Sequence, residues 1–133
     1  MIKVLLYLWQ LPQNILGLIL LLLSKRKEYR YCGYYICSIM PGYGYGPDRW
    51  SSISLGNYIL ASRELSTETL FHERGHQVQS IFFGPLYLIL VGIPSMLRAI
   101  IKTILRKDNH WYHSGYPENW ADKLGRQLHY ENK

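Results

Sequence analysis

Two stretches of this chain contain almost no charge, and they constrain its fold more than any other feature. Residues 1–23 carry one charged side chain, Lys3, and residues 81–97 carry none. Charged residues make up 18% of the chain, below the roughly 25% of ordinary soluble domains, which argues against a purely soluble globule. The 133 residues allow one core, their apolar and aromatic content excludes intrinsic disorder, and two cysteines are too few for a disulfide scaffold.

The first stretch predicts a membrane anchor over residues 1–24. About twenty helical residues span the roughly 30 Å of a bilayer core. No small-x-small cleavage site follows the apolar run, which disfavours a cleaved signal peptide. Pro12 and the amides of Gln10, Gln13 and Asn14 interrupt its middle, and those amides need hydrogen-bond partners. Two forms therefore remain open, a kinked span and a hairpin of two half-helices.

The second stretch, residues 81–105, is interrupted by glycine and proline at Gly84-Pro85 and at Gly92-Ile93-Pro94. Each half holds about 10–12 residues, or ~15–18 Å of helix, which is too short to span a bilayer. Beyond Pro94, apolar and basic side chains separate onto two faces, as in helices that lie in a membrane interface. We therefore predict a re-entrant or interfacial helical hairpin.

The net charge of +6 lies mainly beside these two stretches. Lys25-Arg26-Lys27 and the basic residues between 98 and 107 follow apolar sequence, where the cations that anchor membrane proteins lie. No recognisable nucleic-acid-binding motif accompanies them. We therefore expect a lipid bilayer and no nucleic acid as partner. By the positive-inside tendency, the charge also predicts an integral membrane protein whose site faces the cytoplasm.

Residues 25–133 are predicted to form one α+β domain that includes this hairpin. Two segments rich in aromatic and β-branched residues predict strands, and two further segments predict helices. We expect a small antiparallel sheet with these two helices. The predicted elements are strands over Tyr29–Ile39 and Ser51–Ala61, a loop over 41–48, a bulge or tight bend at Gly56-Asn57, and helices over Ser62–Ser80 and from Pro117 to about Tyr130.

The sequence His72-Glu73-Arg74-Gly75-His76 lies within the first of these helices and matches the H-E-x-x-H pattern. Histidines at i and i+4 lie on one helical face, about 5–6 Å apart at Cβ, so both imidazoles reach one tetrahedral zinc ion. Glu73 beside them is the candidate general base toward a water at that ion. Gly75 costs about 1 kcal/mol relative to alanine inside a helix, and it would let another backbone approach the site closely.

Zinc needs a third protein ligand, and the position of that ligand separates the classes of zinc peptidase. The metzincin pattern requires a histidine at position 82, which is Phe82, so that class is excluded. The gluzincin pattern uses a downstream glutamate with an aspartate four residues later, and Glu118 and Asp122 have that spacing. His110 and His113 remain open as a ligand source in place of Glu118, as oxyanion donors along with Tyr112 or Tyr116, or as plain surface residues.

The order His72-Glu73-x-x-His76 followed by Glu118-x-x-Ala121-Asp122 resembles the membrane gluzincins of the CAAX prenyl protease and HtpX-type group. The chain also resembles small bacterial membrane proteins, in the runs His-Glu-x-Gly-His-x-x-Gln-Ser, Phe-Gly-Pro-Leu-Tyr and Ile-Pro-Ser. This resemblance implies location in a bacterial inner membrane. The gluzincin resemblance implies a minimal zincin-like domain with a zinc cofactor. It implies these roles: zinc ligands His72, His76 and Glu118, catalytic base Glu73, and Asp122 as the carboxylate that orients a ligand histidine.

A shared metal constrains the topology. If Glu118 binds the same ion as the two histidines, both motifs lie on one side of the membrane, so residues 81–105 cannot cross it once. The strand Ser51–Ala61 directly precedes the motif helix, in the place of the edge strand along which zincins bind substrate by β-addition. By this analogy the predicted substrate-binding residues are Gly56, Asn57 and Tyr58.

The predicted function is a membrane-anchored zinc metalloendopeptidase that hydrolyses peptide bonds of membrane or membrane-proximal polypeptides. The main alternative is a non-catalytic membrane adaptor with a structural metal site, because a domain this small gains stability from a metal that joins two helices. A nucleic-acid binder at the membrane surface is the third alternative.

Overall fold

The computed structural model describes residues 1–23, 28–32, 35–39, 52–61 and 65–131, which form an α+β fold as predicted. The predicted loop over 41–48 and the cluster Lys25-Arg26-Lys27 lie outside these residues. Within them, six α-helices run over Ile2–Trp9 (α1), Leu11–Leu23 (α2), Thr67–Phe83 (α3), Ile93–Ile104 (α4), Asn109–His113 (α5) and Glu118–Glu131 (α6). The described strands are Glu28–Cys32 (β1), Tyr35–Ile39 (β2), Ser52–Leu55 (β3) and Tyr58–Ala61 (β4).

Each predicted strand is a hairpin, so the described sheet has four strands, in the order β1-β2-β4-β3. Pairing is antiparallel within each hairpin, as predicted, but parallel between β2 and β4. The all-antiparallel prediction is therefore wrong at that junction: because β3 takes the outer edge, two strands of the same direction become neighbours. Gly56, with φ of +60°, and Asn57 form the turn of the second hairpin, which confirms the predicted tight bend.

The predicted anchor folds as two helices, α1 and α2, inclined to each other by 86°. Pro12 lies in the first turn of α2, where its missing N–H costs no helical hydrogen bond. A helix continued backwards through Pro12 would bring its ring against the carbonyl four residues earlier, so the chain bends just before it. Within the described residues, no single helix has both the length and the hydropathy of a bilayer span. Helices α1 and α2 have the required length and hydropathy only when they are taken together as a bent pair.

The amides at this bend are buried, and all but one of their side-chain polar groups have a hydrogen-bond partner, the exception among the described residues being the Gln13 side-chain oxygen. Ser80 Oγ donates to the Gln10 side-chain oxygen (2.7 Å) and accepts from Gln13 Nε2 (2.9 Å). The Asn14 side-chain oxygen accepts from the backbone N–H of Asn57 (2.8 Å). These contacts hold the N-terminal helices against the end of α3 and the turn between β3 and β4.

The motif helix begins five residues later than predicted, at Thr67. Ser66 is its N-cap, and the Ser66 hydroxyl accepts a hydrogen bond from the Thr69 N–H (3.2 Å). A serine in this role stops the helix from extending backwards, since its side chain replaces the missing helical acceptor. The C-terminal helix α6 agrees with its prediction to within a residue at each end.

The predicted break at Gly92-Ile93-Pro94 is wrong. The chain is helical without interruption from residue 87 to residue 104, first with a π-helical turn and then as α4. Pro94 cannot donate to the Leu90 carbonyl, but the Tyr116 hydroxyl donates to that oxygen (2.5 Å). The chain changes direction earlier, at Gly84, whose φ of +53° ends α3. One bend and one longer helix thus replace the predicted pair of short halves.

Candidate metal centre

Helices α3 and α6 cross in close contact at two glycines. A Cβ added at Gly75 would overlap the carbonyl oxygen of Ala121, and one at Gly125 would overlap that of Phe71. Only glycine therefore permits this approach of the two backbones, as the sequence predicted for Gly75. The crossing places the histidine face of α3 against the first turn of α6, which begins at Glu118.

The imidazoles of His72 and His76 converge on one carboxylate oxygen of Glu118. The Nε2 atoms lie 3.1 Å and 3.2 Å from Glu118 Oε2. Tetrahedral zinc, with ligands about 2.0–2.1 Å from the ion, requires about 3.3 Å between ligand atoms. Glu118 is fully buried, and the three ligand atoms lie within 4.8 Å of one another. The donor set and its spacing therefore fit a zinc ion.

Each candidate ligand histidine is oriented through its other ring nitrogen. His72 Nδ1 lies 2.7 Å from Asp122 Oδ1, and His76 Nδ1 lies 2.8 Å from the side-chain oxygen of Gln79. Gln79 in turn donates from Nε2 to the Pro117 carbonyl (3.0 Å), which fixes the orientation of its amide. Because the Nδ1 atoms face these acceptors, the Nε2 atoms of both rings are directed toward Glu118.

Opposite charges hold this cluster together. Burial alone would lower the pKa of His72, but its hydrogen bonds to Asp122 and Glu118 raise that pKa from 6.5 to about 10. Burial alone would raise the pKa of Glu118, yet hydrogen bonds from His72 and His76 hold it well below its usual range. The pKa of Asp122 is likewise depressed, because His113 and His72 outweigh its partial burial. The metal-free protein thus carries a protonated His72 between two carboxylates at neutral pH.

Glu73, the predicted general base, is buried beside these groups. Its charge contributes to the raised pKa of His72. Ser52 Oγ donates to Glu73 Oε1 (2.6 Å), which connects the carboxylate to strand β3. The sequence analysis did not identify Ser52 as a site residue.

The second carboxylate oxygen of Glu118 accepts a hydrogen bond from a serine. Ser95, near the start of α4, donates from Oγ to Glu118 Oε1, and Ser95 Oγ also lies 3.4 Å from the Tyr112 hydroxyl. Burial, then the charges of Glu118 and Glu73, raise the pKa of Tyr112. Tyr112 therefore presents a protonated hydroxyl beside both carboxylates.

Helix α5 contributes a third histidine near the site. His113 Nδ1 lies 3.1 Å from Asp122 Oδ2, and the His113 ring packs edge-on against His72 at 4.9 Å between centroids. Asp122 thus lies between two imidazoles. In the described part of the chain, two groups of side chains could hold a metal ion: His72, His76 and Glu118, and also His72, His113 and Asp122. His110, on the same helix as His113, belongs to neither group.

The predicted substrate-binding residues lie at the turn of the second hairpin, beside the N-terminal helices. The Tyr58 hydroxyl lies 3.0 Å from that of Tyr7, and Gly56 packs against Asn14. Tyr58 belongs to β4, which lies between β2 and β3, so the prediction that all of Ser51–Ala61 is an edge strand is wrong for its second half. Folding into a hairpin places only β3 at the described edge. The roles of Gly56, Asn57 and Tyr58 in substrate binding stay predictions.

Sequence analysis assigned no role to three residues that contact the ligands or the base, Ser52, Gln79 and Ser95, although Gln79 and Ser95 lie in the runs that resemble small bacterial membrane proteins. Gln79 has a local signal, because it lies three residues after His76 and thus on the same helical face. Both serines come from distant segments, and the residues around them do not indicate a contact with the site.

Comparison of the chain with protein-family models, curated proteins and solved structures finds no match.

Proposed function

We propose that this protein is a membrane-associated zinc metalloendopeptidase of gluzincin type that cleaves membrane or membrane-proximal polypeptides. The observation that carries the proposal is the convergence of two histidine Nε2 atoms on Glu118 Oε2, beside the buried carboxylate of Glu73. A cluster of this composition matches the three protein ligands and one open position of catalytic zinc sites.

His72, His76 and Glu118 would hold the ion. When bound, zinc supplies a Lewis acid that lowers the pKa of water and polarises a carbonyl group. Glu73 takes a proton from the water that attacks the peptide carbonyl carbon, and then gives that proton to the leaving amine nitrogen. The hydrogen bond from Ser52 holds the Glu73 carboxylate in one orientation during this transfer.

Tyr112 is the donor best placed to stabilise the oxyanion. Its hydroxyl lies beside Ser95, the serine that holds Glu118, and its raised pKa keeps it protonated. A protonated phenol at this place can donate to the negative charge that develops on the carbonyl oxygen. His113 is directed to Asp122 instead, so we assign it to the support of His72.

The outer strand β3 suggests how a polypeptide would bind. It packs against α3, and its first residue, Ser52, contacts the candidate base. An extended peptide that pairs with β3 would therefore run past Glu73, with backbone hydrogen bonds that do not depend on the peptide's sequence. This mode of binding favours cleavage inside a chain.

The membrane association rests on the apolar pair α1 and α2 and on the basic residues beside the apolar segments. Their positions favour an integral protein of a bacterial inner membrane with its site on the cytoplasmic side. The alternative, a non-catalytic adaptor, is favoured by one observation: the site lies where α3 crosses α6, so a metal there would also join the two helices.

The proposal is tested by metal analysis and peptide hydrolysis on the full chain, purified gently in detergent. Wild type is expected to contain about one zinc per chain, and His76→Ala to lose it. Arg126→Ala, an exposed change on α6, is the matched control that keeps the metal. Wild type without stoichiometric metal would contradict the proposal, and metal without hydrolysis of any membrane polypeptide would favour the adaptor.

A further inference from the structure

Helix α4 has two dissimilar sides, and its apolar side is uncovered. None of its residues is buried, and the segment from 93 to 107 contains no acidic side chain. At 100° per residue, Ser95, Arg98 and Lys102 fall on the side opposite the apolar residues. The exposed apolar residues are Ile93, Met96, Leu97, Ile100, Ile101 and Ile104.

The polar side of α4 holds the candidate metal centre. Ser95 donates to Glu118, the candidate ligand on α6. Arg98 donates from Nε to the Tyr112 carbonyl (3.0 Å) and from Nη2 to the Trp111 carbonyl, and its guanidinium lies 4.3 Å from the Trp111 ring centroid. These contacts position α5, which carries Tyr112 and therefore the candidate oxyanion donor.

Arg98 and Lys102, two of the cations predicted to lie at a membrane, therefore form hydrogen bonds within the protein. Lys102, like Arg98, bonds to α5, through the side-chain oxygen of Asn109. Arg106 and Lys107 follow the last turn of α4 and are exposed. They leave positive charge at one end of the apolar side.

A lipid bilayer with anionic headgroups fits this side better than a second copy of the chain does. Apolar side chains bordered by exposed cations are typical of helices that lie in a membrane interface. Two copies packed in parallel through α4 would bring these like charges together, and antiparallel packing would offer them no acidic partner on the other α4. At the bend that precedes this helix, the Trp9 indole of α1 donates to the Ile81 carbonyl (2.9 Å) and packs against Gly84. Tryptophan, like tyrosine, is enriched at the interface between a membrane and water.

We propose that α4 docks on an anionic bilayer surface through its apolar side, and that docking stabilises the positions in which Ser95 and Arg98 support the metal centre. The coupling to the metal rests on the function proposed above, whereas the docking does not. A bilayer favours the positioned state because the apolar side of α4 makes contacts with lipid that it lacks in water.

The docking is tested with the full chain in vesicles of phosphatidylcholine and phosphatidylglycerol. Met96→Cys, in a Cys32→Ser, Cys37→Ser background, carries a spin label. We expect the label to be relaxed more strongly by oxygen, which partitions into lipid, than by a water-soluble nickel chelate. A label accessible mainly to the chelate would overturn the proposal. So would a label shielded from both reagents and broadened by a second label, which would indicate a dimer.

The coupling is tested by zinc affinity in the same vesicles. Ile100→Glu with Ile104→Glu should weaken zinc binding about 10-fold or more, the usual cost of losing a group that orients a metal ligand. Tyr130→Glu is the matched control with unchanged affinity, since Tyr130 is 73% exposed and Ile104 is 72% exposed. Ser95→Ala should also weaken binding, but should add little in the double-glutamate background.

Additive effects of these changes, or unchanged affinity in the double-glutamate variant, would overturn the coupling while leaving the zinc peptidase intact. Wild type that binds no zinc would remove the proposed function and the coupling together. The Met96 label would still decide whether α4 docks on lipid.

Discussion

Ser52 Oγ donates a 2.6 Å hydrogen bond to Oε1 of Glu73. The outer strand of the described sheet is thereby joined to the candidate general base. Strand and helix come from separate segments of the chain, and this bond fixes the position of the base relative to the edge on which a peptide can pair.

Removing this hydrogen bond should slow the reaction and leave the metal in place. A hydrogen bond to a charged group contributes about 1.5–3 kcal/mol, so Ser52→Ala is expected to lower kcat roughly 10-fold or more. Ser52→Thr keeps the hydroxyl and should retain most of the activity. Steady-state kinetics with zinc analysis of each variant checks this. Loss of zinc from Ser52→Ala would show that the serine stabilises the fold instead.

The crossing of α3 and α6 should not tolerate a methyl group. Gly75→Ala would bring a Cβ against the Ala121 carbonyl, so we expect a lower melting temperature and weaker zinc binding. Gly92→Ala is the matched control, because a Cβ there has its nearest neighbour at 3.6 Å and the backbone is helical. Alanine at position 92 should be neutral or slightly stabilising. Equal melting temperatures for the two variants would contradict the close approach.

The sequence could predict the parts of the site that depend on a single helix. The histidine pair was predictable because spacing within one helix determines which side chains share a face. Gly75 was identified as a place of close approach because a glycine inside a helix has no Cβ to keep another backbone away. The chain order of the Glu118 and Asp122 motif was recognised by resemblance, but its contact with the histidines depends on the helix crossing.

The remaining contacts arise from tertiary structure, which local patterns do not determine. Ser52 and Ser95 look like ordinary strand and helix residues until the sheet and α4 pack beside α3 and α6. The break expected at Pro94 is absent because a tyrosine more than twenty residues later, Tyr116, donates to the carbonyl that the proline leaves free. The parallel pairing of β2 with β4 likewise depends on how two hairpins associate.

Gln79 should be required for zinc binding through His76. Without its side-chain oxygen, His76 loses the acceptor at Nδ1 that directs Nε2 to the metal. We expect Gln79→Ala to weaken zinc binding about 10- to 100-fold, the usual range for such partners. Gln127→Ala, an exposed change on α6, is the control and should bind zinc like wild type. Wild-type affinity in Gln79→Ala would show that the ring is oriented by packing alone.

The metal-free protein should lose stability at both ends of the pH scale. The pKa of His72 is raised to about 10 in the folded state, so its contribution is complete below its ordinary pKa of 6.5 and is lost as the pH rises toward 10. The pKa values of Glu118 and Asp122 are depressed, so their contribution is present above their ordinary pKa values and is lost on acidification. Melting temperatures in a chelator should therefore be highest between roughly pH 5 and 7. His72→Gln should abolish most of the alkaline loss; an unchanged alkaline profile would contradict the assignment.

The central claim is that Glu73 works on substrate beside a bound metal, and Glu73→Gln tests it most directly. Zinc content and hydrolysis of a reconstituted membrane polypeptide are measured together for the variant and wild type. Glutamine has nearly the same shape as glutamate but cannot take a proton from water. We predict about one zinc per chain in both proteins and a loss of turnover in Glu73→Gln of about 100-fold or more. Turnover equal to wild type in a variant that keeps its zinc would contradict the account.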